Sequence, residues 1–403
     1  MTQDIVIVGG ARTPMAEYIG TPGFGKFKDL SALDLGAHAA KAALERSKVA
    51  PESVDHVVFG NVLQSSLDAL YGARHIALKA GVPQAVPALT VNRLCGSGIQ
   101  SIVSAAQMIQ LGEATTTLAG GTENMSQAPY VLYGARQGFR FGQAPEMKDS
   151  LFASLYDPYA DSYMAQTAER IGKRLGISRE EQDAYALRSH ELGAAAVQEG
   201  RFAEEIAPVT IPGRKGDLVV DTDDHIKPDT TLEGLARLRA AFGKEGTVTA
   251  GNASGIVDGA AAVVVTTAER AQADGLDTLA VVRGWSAVGV DPKEMGIGPV
   301  PAIQRLMDQA GLTLDQIDRV EINEAFSAQY LGCEKELGLD RDRCNVNGGA
   351  ISLGHPLGAT GTRIVLTLAL ELRRCGGRYG VASACIGGGQ GIAILIENPA
   401  AQG

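Results

Sequence analysis

Three glycine-rich stretches of the chain each hold one side chain able to do covalent or acid–base chemistry. The first is "TVNRLCGSGIQS", residues 90 to 101, with Cys95 between an extended segment and a helical pattern. Ile99, Ile102, Val103, Ala106 and Ile109 recur at helical spacing until Gly112, which places Cys95 at or just before a helix N-terminus. Unpaired N–H groups and the positive end of the helix dipole favour a thiolate there, and predict a pKa below the usual value of about 8.5. A small buried filler is the other reading of such a cysteine, and this stretch alone leaves both open.

The second stretch is "NVNGGAISLGHPLGATGT", residues 345 to 362, with His355 between Gly354 and Pro356. A histidine in so glycine-dense a loop is poorly placed for core packing and well placed to act in a cleft as a general base. With no lysine after its last glycine, the loop fails as a Walker phosphate loop. In the third, "ASACIGGGQGIAILI", residues 382 to 396, Cys385 ends a strand and enters a glycine run. Such a backbone is free to aim N–H groups inward as an oxyanion hole, and Gly387 is the candidate donor with Cys95's own N–H as partner. A fourth stretch, "EINEAFSAQ", puts Asn323 and Glu324 after a buried strand. The Asn323 amide either holds a water or ligand oxygen or forms an Asx turn capping the next helix.

A metal site would want three or four ligands, and no spacing here favours one. A Cys95–Cys385 redox pair would leave the glycine runs without a role. Covalent acyl transfer uses every part: a thiolate, a base, a second acid/base and oxyanion donors.

These groups need a scaffold larger than one core, and 403 residues predict at least two domains. Hydrophobic content of 45 %, charged content of 20 % and 50 glycines describe a well-packed α/β chain with many close backbone approaches. A net charge of −10 argues against a nucleic-acid partner, while small anions remain possible at helix N-termini. Five cysteines, an odd number without a CxxC pair, read as reduced thiols in the cytoplasm. The start "MTQDIVIVGGARTP" reads as a short strand and not as a signal segment, and no run approaches the roughly 18–20 apolar residues of a membrane span.

The elements are written twice. "ALERSKVAPESVDHVVFGN" lies on "RLMDQAGLTLDQIDRVEIN" at an offset of 263, with Leu44 on Met307, Val54 on Ile317 and Val57 on Val320. The same offset carries Gly98 onto Gly361 and the strand at 115–121 onto that at 379–385. This predicts two similar α/β halves about a pseudo-twofold axis. Residues 1–124 form the first half, completed by a return strand within 256–277, and 278–403 form the second. Residues 125–255, richer in polar loops and isolated basic side chains, read as an inserted loop domain.

The segments "NRLCGSG", "GGTENMSQAPY", "GTVTAGNASG", "MGIGPVPA", "NEAF", "NVNGGAISLGHPLGATG" and "CIGGGQG", in this order, closely resemble the thiolase family over essentially the whole length. The resemblance implies a five-layer αβαβα fold and assembly as a homo-oligomer, a dimer or a tetramer. It implies cleavage of a 3-oxoacyl-CoA by coenzyme A, or the reverse Claisen condensation, with acyl-CoA and CoA as substrates and no permanently bound cofactor or metal. By resemblance Cys95 takes the acyl group, and His355 activates Cys95 or the CoA thiol. Cys385 moves the proton at the carbon alpha to the thioester. Asn323 holds a water for one oxyanion, and the N–H groups of Cys95 and Gly387 serve the other. Ser254 lies near the pantetheine, Lys227 and Thr230 near the nucleotide, and Met164 and Phe326 line the acyl pocket. Lys227 stands where many members carry arginine, exchanging a planar group for a point charge. Tyr163 stands where acetoacetyl-CoA-specific members often have histidine, and "GNVLQSS" and "CIGGGQGI" look like the degradative 3-oxoacyl-CoA type. A strict acetoacetyl-CoA thiolase working in condensation is the alternative. A β-ketoacyl synthase would pair its cysteine with two histidines, and a non-catalytic acyl-CoA or lipid-binding protein would not need Cys95, His355 and Cys385 together.

Overall fold

A computed structural model describes residues 4–20, 25–243 and 245–401. Its main sheet contains β1 (Ile5–Arg12), β2 (His56–Gly60), β3 (Ala88–Val91), β4 (Thr116–Glu123), β5 (Val257–Thr267), β6 (Ala280–Gly289), β7 (Arg319–Ile322), β8 (Tyr379–Ile386) and β9 (Gln390–Glu397). Their hydrogen-bonded order is β7-β8-β9-β6-β1-β5-β4-β2-β3, with the short strand Ala16–Glu17 added beside β5. β5 reads VDGAAAVVVTT and is buried along its whole length, the continuous small and apolar run expected of a strand covered on both faces. As expected from the sequence, it returns beside β4 and β1.

The 263-residue offset is visible in the register. β2 pairs parallel with β4 through His56 and Thr117, and β7 pairs parallel with β8 through Arg319 and Gly380. The two halves join where Ile5–Ile7 of β1 pair antiparallel with Ala280–Val282 of β6.

Seven helices position the site: α1 (Ala32–Ser47), α2 (Ser97–Gln110), α3 (Met164–Leu175), α4 (Arg179–Gln198), α5 (Pro299–Ala310), α6 (Ser327–Leu337) and α7 (Leu357–Cys375). α1 covers one outer face and α5 packs on the opposite one, with α6 against it. α2 and α7 lie between the halves, and α7 touches β4 and β5 as well as β7 and β8. The result is five layers, helix, sheet, helix, sheet, helix. The central helices cross where a Cβ on Gly98 would overlap the Thr362 nitrogen and one on Gly361 the Ile99 nitrogen. The pair related by the offset is thus its own contact, at the pseudo-twofold axis.

Ser31 and Asp34 start α1 with a reciprocal capping box, and Ser178 and Glu181 do the same for α4. The region holding α3 and α4 is tied to β1 by a buried ion cluster. Arg12 donates to Asp223 at 2.7 and 2.9 Å and to Glu205 at 2.7 Å. Burial opposes the Arg12 charge, but the two carboxylates outweigh it and raise its pKa above the ordinary value. Among the described residues no helix is long and apolar enough to cross a membrane.

Candidate active site

Cys95 follows β3 in a tight turn. Leu94 takes a left-handed φ of 48°, and Ser97 Oγ accepts the Arg93 N–H at 2.8 Å while donating to the Leu94 carbonyl at 2.7 Å. A leucine at positive φ is strained, and the Ser97 bonds hold it there. α2 begins two residues later, at Ser97. Cys95 is partly buried and packs on a cluster of Met125, Leu151 and Leu357, on which Val62 and Leu63 also pack. Burial pushes its thiol up to about 11, against the N–H groups of Gly387 and of Cys95 itself, and with Glu123 adding to the rise. The expected lowering at a helix start is therefore corrected: desolvation raises the thiol more than the two N–H groups lower it.

The glycine run after Cys385 divides into two functions. Gly388 and Gly389, at φ 79° and 81°, make the turn between β8 and β9. Gly387 has no such conformation, and its N–H is near enough to Cys95 to lower the thiol pKa. The hairpin lies close because Cys95 is followed by Gly96, where a Cβ would come within 2.6 Å of Ile386. Cys385 is buried among Met295, Ala325, Met164 and Phe326. Burial, and then the neighbouring Cys95 thiol, raise its pKa well above the ordinary value.

His355 is presented by Gly354, at φ 92°, where a side chain would also collide with Val257. Its own N–H bonds the Gly255 carbonyl at 2.9 Å. Nδ1 lies 2.6 Å from Thr360 Oγ1, and that hydroxyl donates to the Pro356 carbonyl at 3.0 Å. With its one proton so committed, Thr360 accepts from Nδ1–H, and Nε2 carries the lone pair. Asn323 Nδ2 stands 3.3 Å from Nε2, as a donor facing that lone pair. Burial, and then the Arg363 charge, push His355 down to about 3, so the ring is a neutral base at neutral pH.

Asn323 extends β7, its N–H bonding the Ser383 carbonyl at 2.9 Å. The Asx-turn reading is corrected, because the residue before α6 is Phe326 and that end has no side-chain cap. Glu324, whose role sequence reasoning missed, points the other way. It accepts from Tyr185 Oη and Ser189 Oγ at 2.7 Å each, Asn345 Nδ2 at 3.0 Å and the Ile351 N–H at 3.1 Å. It clamps α4 to the loop that leads to His355. Thr360 was also missed. Its only signal in the sequence was its place five residues after His355.

A cavity of about 380 Å³ reaches His355 and is lined also by Ser254, Met164 and Phe326 and by apolar walls that include Met125, Leu151, Tyr163 and Phe242, while Cys95, Cys385, Asn323 and Gly387 are not in its lining. The Ser254 loop is stitched to the Asn323 segment: Ser254 N–H bonds Ala325 O at 3.0 Å, and Ser327 N–H bonds Asn252 O at 2.9 Å. Lys227 and Thr230 are not in the lining. The Lys227 ammonium pairs with Glu17 at 2.8 Å, and Thr230 Oγ1 donates to the Lys227 carbonyl at 2.8 Å. Both sit near the rim, where Glu17 and His225 do line the cavity.

The chain matches the family described as thiolase, N-terminal domain, over residues 5–269, and as thiolase, C-terminal domain, over residues 276–398. It is 50 % identical over 400 residues to human mitochondrial 3-ketoacyl-CoA thiolase, covering 99 % of this chain and 100 % of that one. The crystal structure of that human enzyme in complex with CoA superposes with a TM-score of 0.95 at 50 % identity, covering 99 % of both chains. An acetyl-CoA acetyltransferase from Bacillus anthracis superposes with a TM-score of 0.95 at 44 % identity, covering 98 % of this chain and 99 % of that one. With the five layers already in view, the chain belongs to the thiolase family of acyltransferases.

Proposed function

We propose that the chain catalyses reversible thiolysis of 3-oxoacyl-CoA through an acyl-enzyme on Cys95. The observation that carries this reading is the 2.6 Å contact of His355 Nδ1 with Thr360 Oγ1, a hydroxyl that itself donates to the Pro356 carbonyl. Thr360 holds the proton of His355 on Nδ1, leaving Nε2 to take one from a thiol that does not ionise by itself.

His355 Nε2 takes the Cys95 proton and the sulfur attacks the 3-oxo carbonyl. The tetrahedral oxyanion forms at the N–H groups of Cys95 and Gly387, of which Gly387 already lies near the thiol. One such donor contributes about 10²–10³ in rate. Collapse breaks the bond between carbons 2 and 3, and the acyl group stays on Cys95. The electron pair passes to the enolate of acetyl-CoA, whose oxygen is met by protonated His355 and a water held by Asn323. The Cys385 thiol supplies the proton to carbon. CoA then attacks the Cys95 thioester, and the two protons then available, on His355 and on the CoA thiol, restore Cys95 and Cys385. Stabilising the two oxyanions at separate sites is what lowers both half-reactions.

Ser254 meets the pantetheine arm in this reading, while Lys227 and Thr230 approach the nucleotide at the rim. Lys227 must leave Glu17 to do so. Met164 and Phe326 border the acyl group. The apolar cavity walls favour the broader 3-oxoacyl-CoA range, and with it a place in fatty-acid β-oxidation, over a strict acetoacetyl-CoA enzyme. Thiolysis rates on substrates of increasing chain length test this, and a collapse beyond four carbons sinks it. Mass spectrometry after mixing with acetyl-CoA tests the acyl-enzyme. The mass gain must map to Cys95, and a thioester elsewhere in Cys95→Ser refutes the assignment.

The division into halves 1–124 with 256–277 and 278–403, with a CoA-binding loop domain at 125–255, belongs to the same proposal, as does a homo-oligomer, a tetramer by preference. Exposed Leu67, Leu70 and Tyr71 near the edge strand β3, and exposed Tyr133 and Phe141, support assembly. A cytoplasmic location rests on five free cysteines.

A further inference from the structure

Glu123 ends β4 and is fully buried beneath the two segments that carry Cys95 and His355. Oε1 accepts from Asn61 Nδ2 at 3.0 Å and from the Leu63 N–H at 2.9 Å. Oε2 accepts from the Val62 N–H at 3.2 Å and from the Gly358 N–H at 2.9 Å. Val62 and Leu63 pack on the same apolar cluster as Cys95, that of Met125, Leu151 and Leu357, and Gly358 is the second residue of α7, three beyond His355.

This reach depends on three glycines. A Cβ on Gly121 would overlap the Gly358 carbonyl, and one on Gly60 would lie 2.9 Å from the same oxygen. A Cβ on Gly358 would lie 2.5 Å from the Thr122 carbonyl. The start of α7 is therefore seated on the ends of β2 and β4 with no room for a methyl group, and its Gly358 N–H is brought onto the carboxylate.

Burial pushes the Glu123 carboxyl up to about 8. The geometry acts against this, because all four neighbours are donors and a protonated carboxyl would find no acceptor for its proton. The ionised form is the one that satisfies every partner. Asp258 on β5 and the Cys95 thiol are the ionisable groups facing it.

We propose that Glu123 is a positioning residue, an ionised carboxylate that locks the apolar cluster on which Cys95 packs to the start of the His355 helix and so sets the separation of nucleophile and base. The proposal rests on the reading of Cys95 as the acylated group and His355 as its base. The charge has a second effect. It opposes ionisation of Cys95, keeping the sulfur a thiol until His355 takes the proton.

The experiment uses the full chain with Glu123→Gln and Glu123→Asp. Two readouts are the rate of Cys95 acetylation by acetyl-CoA, followed by intact mass, and the pH midpoint of Cys95 alkylation by iodoacetamide, followed by peptide mapping. Glu123→Gln removes the charge and sets an amide N–H against donors. Acetylation is expected to slow more than about tenfold, with the alkylation midpoint moving to lower pH. Glu123→Asp keeps the charge but withdraws the oxygens, so acetylation slows while the midpoint stays. A residue needed only for folding would lower the melting temperature and leave both readouts of the folded protein unchanged, which overturns the proposal. Should neither variant fold, Asn61→Ala removes one donor and leaves the charge. Acetylation at least about threefold slower is then expected, and the wild-type rate overturns the idea. Wild-type protein that never acetylates at Cys95 refutes instead the acyl-enzyme reading beneath it.

Discussion

Thr360→Val is the substitution that most directly examines why His355 is a base. Valine keeps the volume and branching of threonine and removes only the oxygen that accepts from Nδ1–H at 2.6 Å. The ring lies in a buried setting, 6 % exposed, and in the valine variant the Nδ1–H is left without that partner. An unsatisfied buried donor costs about 1–3 kcal/mol. The productive tautomer and the imidazolium formed on proton transfer both need Nδ1–H, so the cost falls on the reacting state. At about 1.36 kcal/mol per tenfold, Cys95 acylation slows roughly 5- to 150-fold. Rapid-quench mass spectrometry with acetyl-CoA measures that step without later chemistry. Thr360→Ser retains an oxygen on the same carbon and is expected to recover the rate to within roughly threefold. Acylation of the valine variant at the wild-type rate would falsify the tautomer argument, because His355 would then need no partner to hold its proton on Nδ1.

Cys385→Ala is expected to leave Cys95 acylation largely intact and to block carbon–carbon bond formation; loss of both steps together would give Cys385 the wrong role. The acid side of the stability curve carries a sign. His355 binds its proton near pH 3 when folded and near 6.5 when unfolded, so the unfolded chain holds more protons between these values and stability falls as pH drops through that window. His355→Asn should flatten this part of a urea-denaturation series by about a few kcal/mol, and an unchanged slope would place the ring in solvent. Asp223→Asn weakens the bidentate partner of buried Arg12, at a cost of up to about 3–5 kcal/mol, read as a lower urea midpoint; a surface-like change of under about 1 kcal/mol would contradict the buried cluster. Gly361→Ala inserts a methyl group where α7 crosses α2, and is expected to lower stability by at least about 1–3 kcal/mol and to slow acylation, since both helices start at reacting residues.

Much of the scaffold was legible because its signals are local. Helical periodicity set α2 within a few residues, and the repeated pattern at 263 residues reappears as equal strand register. The Gly98–Gly361 match even marked the point where the halves touch. The site was legible as a set of residues and less so as a state. The Cys95 thiol is pushed up where a helix start alone predicts the reverse, because it packs on apolar neighbours from residues 125, 151 and 357. Asn323 was readable as an Asx cap, since its partner lies 32 residues further on. Glu123 carried no chemical signal at all, for its fourth donor is 235 residues away.

The sequence by itself determined which side chains are reactive, the glycine-rich loops that present them and the duplicated halves that hold those loops. Each of these is written in residue type and short-range spacing. Only the tertiary structure decided that Thr360 Oγ1 lies against Nδ1 of His355 and that burial raises the Cys95 thiol. The reason is physical. A protonation state is set by burial and by the charges and donors within a few ångströms, and here those neighbours come from both halves of the chain.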